Sequence, residues 1–316
     1  MRIMDAKKFH LASNGGDGLK AFPKPAEATD ASSRVVAFML RQANLMLGAK
    51  TGVQRPLTSQ TVHEMRVASR RLQAGLDLFD RFFPEAELGE AVREIGRIRR
   101  KLGKIRTIDV NLELMNQFME AGGGAARAAA WARHPLSERR TKRELDLDEL
   151  FEKLETAGFL AELRLLILRL KPGLRRPELV RHACRELARN QKKFRKGYQR
   201  FVRKKGAASL HRFRIAAKKY RYALEVCQSA FQLELKKEIR AASKLQSLAG
   251  KIHDEEMAAD ALRRVAFPKD ERELKKGCDD LIRRCERKAA GRLRKFRRRV
   301  RKSPLAKHKF QFSSGR

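Results

Sequence analysis

Residues 61–79, TVHEMRVASRRLQAGLDLF, return as residues 209–227, SLHRFRIAAKKYRYALEVC, and this repeat constrains the fold more than any other feature. His63 aligns with His211, Arg66 with Arg214, Ala68 with Ala216 and Leu76 with Leu224, while Arg70–Arg71 aligns with Lys218–Lys219 and keeps its charge. A second block follows each copy at nearly the same offset. LGKIRTIDV (Leu102–Val110) lies over AGKIHDEEM (Ala249–Met257), with Gly103 on Gly250 and Lys104 on Lys251. Two linked matches in the same order describe two related halves built from one supersecondary unit.

The unit is helical. Apolar residues recur at helical spacing in long segments separated by breaks at Gly52–Pro56, Pro84, Ala121–Gly124, Pro172–Pro177, Gly206 and Pro268. With only 20 Gly and 9 Pro, and with Leu, Ala, Arg, Lys and Glu dominant, the composition favours antiparallel helices over hairpins. The expected layout is a flexible tail over 1–30, a first helical half over about 31–143, a linking helix over about 144–171, a second half over about 178–302, and a tail over 303–316. The linking segment is set apart by its charge, with seven carboxylates against Lys153 in residues 144–162. Those carboxylates are expected to be solvated or paired with nearby cations.

Placed at ~100° per residue, Met65, Leu72, Leu76 and Phe79 share one helix face, as do Phe213, Tyr220, Leu224 and Cys227 in the second copy. These are the expected core stripes. His63, Arg66 and Arg70 gather opposite, with Arg71 on their flank, and His211, Arg214 and Lys218 do the same with Lys219. Thr61 and Glu64 have the spacing of a capping box, and Ser209 can cap the second copy. Both histidines are then expected in the first helical turn, where unpaired N–H groups and the positive end of the helix dipole favour a phosphate.

Charge narrows the partner. The 74 Lys+Arg exceed the 37 Asp+Glu by 37, a surplus whose self-repulsion calls for a polyanionic ligand or counterions. Residues 181–205 hold eleven Lys/Arg against Glu186, with Arg181, Arg185, Arg189, Lys192, Lys196, Arg200 and Arg203 spaced to one strip of a helix. Residues 281–302 hold twelve Lys/Arg against Glu286. One such run reads as a solvated face; several unneutralised runs in one chain point to a polyanion.

Other chemistries find little support. Cys184, Cys227, Cys278 and Cys285 have neither CxxC nor zinc-finger spacing and read as reduced structural thiols. No apolar run approaches a membrane span, the N-terminus lacks a secretory signal, and a cytoplasmic location is expected. No metal and no cofactor is expected, because the Arg and Lys around the histidines repel cations. Asp109 with Glu113, and Asp254 with Glu255 and Glu256, read as solvated helix-start acids rather than catalysts.

The pattern HxxRVAxRRLxxxLxLF, followed by an LGxxRxxDV-like block and then by LHRxRIAAKKxRYALE, resembles the CHAD family, the conserved histidine α-helical domain. The resemblance spans about residues 31–302. It implies an all-α fold of two four-helix bundles related by a pseudo-twofold axis, with a basic channel between them that binds inorganic polyphosphate. Residue by residue it assigns contacts to His63, Arg66, Arg70 and Arg71, and to His211, Arg214, Lys218 and Lys219. Lys104 and Lys251 of the second block, and Arg185, Arg189, Lys192 and Lys196 of the basic strip, complete the candidate polyphosphate contacts. One departure is Thr107, which stands where the family's first half often has an Asp beside the residue corresponding to Arg106.

Three functions remain open at this stage. The first is a polyphosphate-binding protein that associates with polyphosphate granules. The second is a nucleic-acid binder, allowed by charge but short of stacking platforms, with one Trp and three Tyr. The third is a phosphoanhydride enzyme. Related domains are often fused to a triphosphatase-like domain with an ExExK motif; no such motif occurs here, and the chain is expected not to be an enzyme.

Overall fold

The computed structural model describes residues 9–13, 20–21, 31–48, 56–120, 122–170, 176–204, 206–231, 233–266, 271–301 and 310–314. Among them are nine α-helices: α1 (Ala31–Leu47), α2 (Ser59–Leu78), α3 (Glu85–Glu120), α4 (Gly123–Thr156), α5 (Phe159–Leu168), α6 (Arg176–Lys204), α7 (Ala207–Phe231), α8 (Lys236–Arg263) and α9 (Arg272–Arg301). The repeated blocks fall on α2 and α7, and on α3 and α8. In the first set α1 packs on α2, α2 on α3 and α3 on α4; in the second α6 packs on α7, α7 on α8 and α8 on α9. Across the middle α2 meets α7, α3 meets α8 and α4 meets α9.

The expected core stripes are buried. Met65, Leu72, Leu76, Phe79, Phe213, Tyr220, Leu224 and Cys227 are each at most 2% exposed. Phe194 and Phe201 of α6 and Phe296 of α9 close on Phe213, with ring centroids 5.4, 5.9 and 6.0 Å away. One apolar cluster runs through all nine helices, so the two sets share a core instead of closing separately. A second cluster joins the far ends of α3, α4, α8 and α9 through Met115, Phe118, Ala128, Ala132, Leu262 and Leu281. There the α4–α9 crossing depends on Gly277: a Cβ at that position would lie 2.4 Å from the carbonyl oxygen of Gly124. Only hydrogen fits against a backbone that close.

Several expectations change. The cap of α2 is Thr58, whose hydroxyl accepts from the Thr61 N–H at 3.0 Å. Thr61 therefore lies inside the helix. Ser209 likewise sits inside α7 and donates its hydroxyl to Gly206 O at 2.6 Å. Both histidines then fall in the second turn, beyond the unpaired N–H groups, and helix-end anion binding does not apply to them.

The proposed linking helix is two elements. Its first part is the C-terminal portion of α4, which Gly158 ends at φ 68° before α5 begins, a left-handed conformation that glycine adopts without strain. Leu147, Leu150, Phe151 and Leu154 face the shared core, so this stretch is part of the bundle.

Asp109 and Glu255 are not solvated helix-start acids. They lie buried within α3 and α8. Arg140 of α4 donates from Nε to Asp109 at 2.8 Å and from Nη1 to Glu144 at 2.7 Å, while Glu144 accepts the Leu57 N–H at 2.5 Å. Arg292 of α9 pairs with Glu255. Each pairing gives a buried carboxylate a cationic partner and ties neighbouring helices together, although the second oxygens of Asp109 and Glu255 accept no hydrogen bond. Within the expected tails, β1 (Phe9–Ser13) pairs antiparallel with both β2 (Lys20–Ala21) and β3 (Phe310–Ser314).

Candidate functional site

The polar faces of α2 and α7 meet over a cleft of about 530 Å³ whose other walls are α3 and α8. Its cationic lining comes from Arg66, Arg70 and Arg71 of α2, Arg106 of α3, Arg214, Lys218 and Arg221 of α7, and Lys251 of α8. A second cavity of about 650 Å³ shares Arg66, Arg70, Arg214 and Lys218 with the first and adds Arg99, Arg100, Lys193 and Lys219. The four shared cations stand where the two cavities join.

Three neighbouring cations have side-chain partners, and for two of them the partner is a carboxylate. Glu225 of α7 holds Arg71 at 2.7 Å and Arg221 at 3.4 Å. Arg106 donates to the Ser59 hydroxyl at 2.6 Å, while Thr107 turns away and donates to Gly103 O at 3.0 Å. A serine from α2 thus orients Arg106 where the family pattern led one to look for a carboxylate. Among the described residues, no carboxylate lies within ion-pair distance of Arg66, Arg70, Arg214 or Lys218, and the buried Nε of Arg66 makes no hydrogen bond.

The uncompensated group strains its own ionisation. Burial, then Arg70, Arg214 and Arg66, push the Lys218 amine down to about 6. Burial, then Arg214, Lys218 and His211, push His253 down to about 4. Burial and Arg70 bring Arg66 down to about 10, and burial also lowers Arg214 and Arg99. Partial burial and the guanidinium groups of Arg106, Arg66 and Arg70 lower His63. Asp254 is raised by burial despite the cations around it. An anion entering here meets four cations that no carboxylate pairs with directly, Asp254 of the cleft wall acting on Arg214 and Lys218 only from beyond ion-pair distance, and its arrival would favour the protonated amine and imidazole.

The candidate contacts divide accordingly. His63, Arg66, Arg70, Arg71, Arg214, Lys218 and Lys251 line the cleft, and Lys219 lines the second cavity. His211 is exposed beside the cleft, its ring 6.4 Å from that of His253. Lys104 is apart, in a groove between α3 and α4 with Arg97, Lys101, Asp146 and Glu149. Arg185, Arg189, Lys192 and Lys196 are exposed on α6 outside both cavities, and Arg189 pairs with Glu186. Sequence reasoning missed Arg99, Arg100, Arg106, Lys193, Arg221 and His253. For Arg106 and His253 the signal was present: they align with each other in the second block, two positions beyond Lys104 and Lys251. On a helix that step turns ~200°, which separates Lys104 from Arg106.

The CHAD domain family model matches residues 37–263, which contain all four walls of the cleft. The chain belongs to the CHAD domain family. The fold is similar to that of the crystallised CHAD domain from the plant Ricinus communis, with TM-score 0.68, 21% identity, and coverage of 89% of this chain and 94% of that one. It is also similar to PptA from Streptomyces chartreusis, with TM-score 0.59, 15% identity, and coverage of 86% and 99%. The sequence has no match among curated proteins. Among the described residues of this CHAD domain, no group of three or more His, Cys, Asp or Glu is placed to hold a metal ion, and no helix is long and apolar enough to cross a membrane. All four cysteines are buried and free.

Proposed function

We propose that this CHAD domain binds inorganic polyphosphate in the cleft between α2 and α7, acting by binding and not by catalysis, in the cytoplasm at polyphosphate granules. The observation that carries the reading is the group of Arg66, Arg70, Arg214 and Lys218, uncompensated and partly buried where two cavities join. Like charges held together repel; a ligand with one negative charge per repeat converts each repulsion into an attraction. Arginine forks take phosphate oxygens in pairs. A linear polymer can continue from one cavity to the other, so successive phosphates engage without separate entropic penalties. Release of condensed counterions adds affinity and makes it fall with salt, by the same physics that governs nucleic acids.

The test is competition. Long-chain polyphosphate should displace labelled DNA at equal phosphate concentration and moderate salt; displacement in the other direction overturns polyphosphate in favour of nucleic acid. Replacing Arg66, Arg70, Arg214 and Lys218 with Ala should weaken polyphosphate binding while circular dichroism stays unchanged. Unaltered affinity would remove the cleft from the account. Phosphate release from polyphosphate with added Mg²⁺ would overturn the non-catalytic assignment.

A further inference from the structure

A third cavity, of about 690 Å³, lies between the first half of α4, the C-terminal end of α8 and the first turn of α9. It shares no lining residue with the two cationic cavities, and Arg264 lies about 10 Å along α8 beyond Met257, the last cleft residue of that helix. Its lining combines two chemistries. Trp131, the chain's one tryptophan, is exposed, with its indole N–H fixed on the Ala266 carbonyl at 3.0 Å, and Val265 and Leu274 continue the apolar wall. Arg127, Arg139 and Arg264 supply charge. Among the described residues no carboxylate lies within ion-pair distance of these three arginines and none lines the cavity; Glu138, outside it, pairs with His134 at 3.3 Å.

We infer that this cavity binds a nucleoside di- or triphosphate, its base stacked on the Trp131 indole and its phosphates held by Arg264 and the arginines of α4. The site is separate from the polyphosphate cleft and does not depend on it. Its volume falls within the ~300–1,000 Å³ of small-ligand sites. An aromatic plate beside uncompensated guanidinium forks matches a ligand that is planar and apolar at one end and multiply anionic at the other. Polyphosphate alone has nothing to set on the indole. A single platform also suits one base, whereas a nucleic-acid strand needs a series of them.

The local structure of α4 arranges these groups. Steps of four residues run from Arg127 through Trp131 and Pro135 to Arg139, so all four lie along one strip of the helix, with the arginines about 6 Å and about 12 Å from Trp131 along its axis. Arg264 faces them from the end of α8. The hydrogen bond to Ala266 fixes the indole before a ligand arrives, so stacking costs little ordering of the ring. Pro135 has no N–H for the Trp131 carbonyl, which leaves that acceptor without its usual helical donor beside the cavity. A ribose hydroxyl or an exocyclic base amine can supply one.

Because Trp131 is the one tryptophan, its fluorescence reports this cavity alone. The full chain is titrated with ATP at neutral pH and moderate salt, with excitation at the red edge of the indole band. ATP should quench the emission saturably, whereas tripolyphosphate, which carries the phosphates without a base, should leave it nearly unchanged. The quench should survive in the chain with Arg66, Arg70, Arg214 and Lys218 replaced by Ala. In that background, equilibrium dialysis with labelled ATP should show binding weakened about tenfold or more by Trp131→Ala and less by Trp131→Phe. Replacing the exposed Arg127, Arg139 and Arg264 together with Gln should weaken it at least as much, with circular dichroism unchanged. No quench by ATP, an equal quench by tripolyphosphate, or loss of the quench in the four-alanine chain overturns the inference. So does ATP affinity that is unaltered in Trp131→Ala or in the triple Gln variant. None of these results touches polyphosphate binding, which is measured at the other cavities.

Discussion

Polyphosphate binding should take up a proton at Lys218. In the free protein the amine lies at about 6, so at pH 8 it is charged in only about 1% of molecules. Phosphates in the cleft would draw it back toward ~10.4, so the complex holds about one proton more than its parts and affinity falls by about tenfold per pH unit between about pH 7 and 9. His253, at about 4 in the free protein, would remain neutral in this window even if a ligand restored it to ~6.5. The informative variant is Lys218→Arg, which keeps the cation but holds its charge throughout the range. It should bind with little pH dependence and exceed the unmodified chain at pH 9. Isothermal titration in two buffers of different ionisation enthalpy counts the proton directly. No uptake in the unmodified protein, or the same uptake in Lys218→Arg, would refute the reasoning.

Three further outcomes follow from the same structure. Without ligand, stability against urea should rise from about pH 6 to about pH 9, because the unfolded lysine binds a proton that folded Lys218 releases; a flat or falling midpoint in chemical denaturation would contradict the depressed amine. Arg140→Ala should lower stability by about 3–5 kcal/mol in the same assay, because it removes the cation that pairs with the buried Asp109 and Glu144 carboxylates. Gly277→Ala should cost about 1–3 kcal/mol while preserving helicity, as the new methyl forces α9 away from the Gly124 carbonyl; an unchanged melting temperature would show that the crossing yields freely.

The helices and their core faces were legible because period and repeat are local properties. Residues 61–79 and 209–227 carry their apolar positions on one side, and all eight expected stripe residues are buried. Caps were harder to read: Thr58, Thr61 and Ser209 are all chemically able to cap, and only the path of the chain entering α2 and α7 chooses among them. The 144–171 segment misled for a related reason. Its acidity resembles a solvated linker, yet Glu144 is held by Arg140 and the Leu57 backbone, while leucines at helical spacing enter the shared core.

What the sequence by itself determined is the all-helical fold, the paired faces bearing Arg66 and Arg70 or Arg214 and Lys218, and the charge surplus that calls for an anionic partner or counterions. Only the tertiary structure decided which cations remain uncompensated. Glu225 quiets Arg71 and Arg221, Ser59 holds Arg106, and α3 turns Lys104 toward α4. The physical reason is distance. Whether a charge is neutralised depends on groups brought within a few ångströms by packing, and neither the residue type nor its place in the helical period contains that separation.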